Sequence, residues 1–129
     1  MKFLRFWFPV LFYSGIIFYV SSWPNLQAPL GEFDFDKIFH LLEYIPYGFL
    51  VARALTAGQL PQNRLFLWNV VLLSLLYALS DEFHQSFVIG RESSLIDVWA
   101  DTLGGMLGGW VYMEFEKRKS KTLADGKRL

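Results

Sequence analysis

The chain contains no cysteine, which excludes disulfide staples and thiol nucleophiles and leaves its compartment open. It has no net charge either: twelve Lys and Arg balance twelve Asp and Glu, so no bulk basic field exists to hold nucleic acid. HExxH, GxSxG and the glycine-rich phosphate loop are all missing, so the familiar signatures of metalloproteases, serine hydrolases and nucleotide binders are missing with them. No repeat, linker or low-complexity stretch interrupts the sequence. What fills the chain is apolar: 53% hydrophobic residues, 19% aromatic, and a mean hydropathy of +0.30. Soluble domains carry roughly 45 to 50% apolar residues. Four long apolar stretches separated by polar clusters exceed what one small soluble core would hide, and they read as membrane-spanning helices.

The first stretch, Phe3 to Ser22, is close to the roughly 20 residues that cross a bilayer core as a helix. SSWPN follows it where a signal peptidase needs small residues, so an uncleaved anchor is expected. Further spans are expected from Asp36 to Ala57, Arg64 to Phe87 and Leu95 to Phe115. Pro24 and Pro29, Gly58 and Pro61, and Gly90 punctuate the three connections. The expected fold class is an all-α integral membrane protein: four transmembrane helices in one compact bundle over residues 1–115, with a basic tail over 116–129. With four spans, ten of the twelve basic residues fall on one side: Lys2, Arg5, Arg53, Arg64 and the six from Lys117 to Arg128. The positive-inside bias makes that side cytoplasmic, with both termini on it. The run KRKSK then anchors the topology and favours anionic lipid by about 1 kcal/mol per basic residue. Only Lys37 and Arg91 fall opposite, among nine acids.

At 100° per residue, Asp36, His40, Glu43, Tyr44 and Tyr47 share an arc of about 100° on the second helix. Glu43 lies roughly 10 Å in from Asp36 along the axis, and a carboxylate at that depth must face the bundle interior or water. Ser74, Tyr77, Asp81, His84 and Gln85 share a face of the third helix, with Glu82 turned about 100° away. On the fourth, Asp97 and Asp101 stand one turn apart above two overlapping G-x-x-x-G pairs, Gly104/Gly108 and Gly105/Gly109, which let helix backbones approach closely in lipid. Three polar stripes are therefore expected to meet near one outward-facing cleft, joined by Arg91 from the loop. Glu32, Asp34 and Glu92 read as interfacial polar groups, and Lys37 sits at the same level.

The segments FYVSSWP, DKIFHLLEYIPYGFL and SDEFHQSFVIGRESSLIDVWADTLGG resemble the VanZ-like family of small bacterial membrane proteins over Ile16 to Gly109. The family pattern D-K-x-x-H-x-x-x-Y falls on Asp36, Lys37, His40 and Tyr44. D-E-x-x-Q falls on Asp81, Glu82 and Gln85, and G-R-x-x-x-x-x-D on Gly90, Arg91 and Asp97. Asp101 begins the last motif, where the family often has Asn. The resemblance implies a bacterial cell membrane protein connected with resistance to teicoplanin-type lipoglycopeptides, and it supplies a phenotype without a mechanism.

The residues themselves leave two readings open. In the first the protein is an enzyme on an anionic envelope lipid or lipid-linked glycan: Arg91, His40 and Lys37 hold phosphate, Asp36, His40, Glu82 and Asp97 form the acid–base set, and His84 shuttles a proton. In the second the same groups, with Glu43, Tyr44, Asp81, Gln85 and Asp101, bind such a ligand without chemistry. Asp36, His40, Asp81 and Asp97 are suitable metal ligands, but no ligand spacing comparable to HExxH accompanies them, so no metal is assigned and the cofactor stays unknown. A small proton-coupled carrier fits less well, because the stripes fade toward the cytoplasmic half, where a carrier needs a pathway.

Overall fold

The computed structural model describes residues 1–24, 35–63 and 65–126. Pro29, Glu32, Asp34, Arg64, Lys127 and Arg128, all used in the topological expectation, lie outside the described residues. Four helices make up the fold: α1 (Lys2–Ser21), α2 (Phe35–Leu55), α3 (Leu65–Gln85) and α4 (Leu95–Gly126). No strand occurs among the described residues. α1, α2 and α3 are each long and apolar enough to cross a membrane. α4 is long enough but less apolar, because Asp97, Asp101 and the glycines at 104, 105, 108 and 109 dilute the hydrophobic residues of its first half. It also continues as helix to Gly126, beyond the expected end at Phe115. Glu114–Lys117 and Glu116–Lys119 ion pairs at i,i+3 spacing line that extension, a pattern that supports an exposed helix.

Contacts along the helices give an up-down-up-down arrangement. Ser21 meets Asp81 and Ser14 meets Tyr77, so α1 and α3 run parallel. Tyr13 meets Glu43 while Arg53 lies over the Phe6 ring, so α2 runs antiparallel to α1. His40 meets Asp101 and Thr56 meets Tyr112, so α4 runs parallel to α2. The start of α1, the α2–α3 turn and the far part of α4 therefore share one end of the bundle. Asp36, Gln85 and Leu95 mark the other. Arg5, Arg53 and the basic residues of α4 gather at the first end, and Lys37 and Arg91 at the second. Large apolar side chains such as Phe12, Trp68, Phe83 and Trp110 stay exposed around the outside, the reverse of a water-soluble bundle and the expected surface for lipid.

α4 packs most extensively on α2 and then on α3, whereas α1 touches α2 and α3 only. The two G-x-x-x-G pairs explain how. Gly104 and Gly108 rest on the backbone carbonyls of Leu41 and Ile45, so this pair faces α2. Gly105 rests on the Ser74 side chain, and a Cβ on Gly109 would stand 3.0 and 3.1 Å from Leu67 and Val70, so that pair also faces α3. Gly48 of α2 meets the backbone of Gly105 directly. The six-residue stretch Gly104 to Gly109 of α4 is thus wedged against two helices at once, which holds Asp101 one turn above it, and Asp97 two turns above, close to α2 and α3.

Candidate functional site

The site begins with the turn that returns the chain from α3 to α4. After Gln85, Ser86 to Val88 close successive turns onto Glu82, His84 and Gln85. Gly90 then takes a left-handed φ of 76°, a conformation that a side chain resists. The reversal delivers Arg91, half-buried with its Nε fully enclosed, to the end of the bundle. Ser94 starts α4: its hydroxyl accepts the Ile96 N–H at 3.2 Å and its carbonyl accepts from Asp97 and Val98. In a capping box the third helical residue would close the motif by accepting the cap residue's own N–H. Here Glu82 of α3 takes that N–H at 2.7 Å. Asp97 is thereby released to point inward, where Lys37 Nζ lies 3.9 Å away.

α2, α3 and α4 then bring their charged groups together. His40 Nδ1 stands 3.0 Å from Asp101 Oδ1, the geometry of an imidazole N–H donating to a carboxylate, with His40 7% and Asp101 0% exposed. Glu82 joins them: the nearest ligand atoms of His40, Glu82 and Asp101 all lie within 4.8 Å of one another. Asp36 and Asp97 make a second group of the same dimension with His40. Glu82 Oε1 and Asp101 Oδ2 are enclosed and have no hydrogen-bond partner among the described residues. Such carboxylate oxygens are costly inside a bundle unless something else satisfies them.

Of the residues expected to converge, Asp36, Lys37, His40, Glu82, Asp97 and Asp101 do so. Glu43 is half-buried, and its backbone carbonyl accepts from Tyr13 of α1 at 2.9 Å. Tyr44 is fully enclosed against Tyr47 and Tyr77, and its hydroxyl has no partner among the described residues. Asp81, His84 and Gln85 turn to α1 instead. Asp81 accepts from Ser21 at 2.7 and 2.8 Å and from Gln85 at 2.9 Å, with all three residues buried. His84 lies 3.0 Å from the Ser22 hydroxyl and against the Phe18 ring, which leaves it beside α1 and removes the basis for a proton shuttle in the cluster. The polar face expected to form one cleft is therefore two networks, one binding α1 to α3 and one between α2, α3 and α4. Sequence reasoning passed over Ser21 and Ser94, although paired serines closing an apolar span and a Ser-x-x-Asp before α4 were visible signals.

Chemically, the inner cluster offers one imidazole held by a carboxylate, a second carboxylate with an open oxygen, and the Lys37 ammonium beside Asp97. Such groups suit proton transfer, phosphate binding or metal coordination. The fold and the cluster together define a small helical membrane protein with a charged site enclosed at one end of its bundle. The model of the VanZ/LLP1 family matches residues 3–116, and the chain belongs to that family. No curated protein and no solved structure matches it.

Proposed function

We propose that this protein spans the bacterial cell membrane four times with both ends cytoplasmic, and that it binds the anionic headgroup of an envelope lipid or lipid-linked glycan at the outer face. The reading is supported by Lys37, whose ammonium stands 3.9 Å from Asp97 beside the cluster, and by Arg91, which the turn between α3 and α4 carries to the same end of the bundle; they are the two basic residues outside the expected cytoplasmic set. A guanidinium fork and an ammonium at the headgroup level are the groups that grip phosphate esters. The fourth span is α4, whose polar residues are covered by α2 and α3 and so do not meet lipid. Capture of a lipid-linked envelope component in this way would alter what a teicoplanin-type antibiotic can reach, in keeping with the phenotype implied by the family.

A second reading, catalysis on the same headgroup, is favoured by the His40–Asp101 contact, since an imidazole oriented by a carboxylate is a general-base arrangement. One experiment separates the two. Protein purified in detergent is incubated with short-chain phosphatidylglycerol, a polyprenyl pyrophosphate and phosphatidylcholine, and both bound and converted lipid are measured by mass spectrometry. Binding of the two anionic lipids over zwitterionic phosphatidylcholine, without conversion, supports the binder. Conversion that disappears in Glu82→Gln supports the enzyme. Equal retention of all three lipids refutes both.

A further inference from the structure

The inner cluster has more acid than its own bases can answer. Asp36, Glu82, Asp97 and Asp101 surround His40 and Lys37 in a space closed by three helices, and two carboxylate oxygens, on Glu82 and Asp101, point into it without a hydrogen bond among the described residues. Both residues are at least 95% buried. Buried acids left in this state are expensive in a membrane bundle, and a cation is the simplest group that would answer them.

We propose that His40, Glu82 and Asp101 bind a divalent transition-metal ion of the Mn2+ or Zn2+ class. One imidazole with two carboxylates is a mixed nitrogen and oxygen donor set: the imidazole favours Zn2+ over Ca2+, the carboxylates suit Mn2+, and no thiolate is present for a softer metal. Neighbouring ligands of such an ion stand roughly 3.0 to 3.4 Å apart. The three donor atoms already lie within 4.8 Å of one another, so small side-chain rotations close the site. Glu82 is held for the role by its other oxygen, which accepts the Ser94 N–H at 2.7 Å, the kind of outer contact that orients a metal ligand. Asp101 is held by the glycine wedge beneath it. On binding, the proton shared between His40 and Asp101 leaves to solvent, and both donors turn their lone pairs to the ion. Asp36 and Asp97, which make a second group of this size with His40, remain beside Lys37. The proposal concerns the chain alone and does not depend on which headgroup, if any, is bound above.

The test uses the full-length protein in detergent, stripped of metal, delipidated and then titrated with Mn2+ or Zn2+ alone. After desalting, elemental analysis is expected to find about one ion per chain in the wild type and in Glu92→Gln, an exposed acid outside the cluster. Glu82→Gln and Asp101→Asn, which keep size and shape, are expected to weaken binding at least tenfold while eluting as the wild type does. A variant-free readout accompanies them: the electron spin echo of bound Mn2+ should carry nitrogen modulation from His40. Substoichiometric metal in the wild type, wild-type affinity in both variants, or an echo without nitrogen modulation would each overturn the assignment.

Discussion

Replacing Gly48 by Ala tests the packing that positions the site. A Cβ there would overlap the Gly105 carbonyl and lie within 2.6 Å of the Gly105 Cα and carbonyl carbon. All of these are backbone atoms that no rotamer change can move aside. Restoring an ordinary contact, which begins near 3.4 Å, requires α2 and α4 to separate by the difference or more. Overpacking of a close interface costs about 1 to 3 kcal/mol, and an all-backbone obstacle belongs at the upper end. Ala gains about 1 kcal/mol over Gly in helix propensity, so the net loss is about 2 kcal/mol. The displacement also reaches the site: His40 is two turns from Gly48, and its 3.0 Å contact with Asp101 would stretch toward the limit of a hydrogen bond. Gly15 of α1 is the control, because a Cβ there meets nothing within 4 Å. Reversible unfolding in mixed detergent, followed by the fluorescence of the five tryptophans, should show Gly48→Ala destabilised and Gly15→Ala unchanged or up to about 1 kcal/mol more stable. A Gly48→Ala protein as stable as the wild type would refute the α2–α4 geometry.

Further substitutions probe individual groups. If Arg91 grips a headgroup, Arg91→Lys should insert and elute normally yet lose most lipid binding, because a point charge does not replace the planar fork; full binding in Arg91→Lys with poor yield of Arg91→Ala would make Arg91 a structural counter-ion. Tyr44→Phe removes a buried hydroxyl without a described partner and should leave stability unchanged or raise it, so a marked drop in the unfolding midpoint would mean that the hydroxyl is satisfied. Ser21→Ala should cost about 1 kcal/mol by removing the α1 donor to Asp81, measured in the same unfolding assay, while metal binding at His40 stays intact; loss of metal would show that the two networks are coupled.

Helical spacing made the elements and the polar residues legible but not their neighbours. The apolar runs located the first three helices and the start of the fourth to within about two residues, and the stripe of Asp36, His40 and Tyr44 does face inward. On α3, however, angles around one axis cannot say which helix lies at each angle. The longer stripe of Asp81, His84 and Gln85 faces α1, whereas Glu82, about 100° away, is the residue that reaches α4 and the cluster. The glycine pairs on α4 announced close packing, yet Gly48, which meets Gly105 and forms a small-x-x-x-small pair with the buried Ala52, was passed over on α2 because only Gly-to-Gly spacings were sought. The run of helix past Phe115 was masked by its charge, because KRKSK reads equally as a solvated tail until the Glu114 and Glu116 pairs with Lys117 and Lys119 are seen.

The claim on which the functional reading turns is that the charged end of the bundle faces out of the cell. The absence of cysteine makes a clean test available, because any introduced thiol is the only one. Ser93, exposed in the turn beside the site, and Ser120, exposed on the extension of α4, are each replaced by Cys and treated in intact cells with a membrane-impermeant maleimide. Ser93→Cys should label at once, and Ser120→Cys only after the membrane is opened. Labelling of Ser120→Cys in intact cells, with Ser93→Cys protected, would invert the protein and place the cluster on the cytoplasmic side.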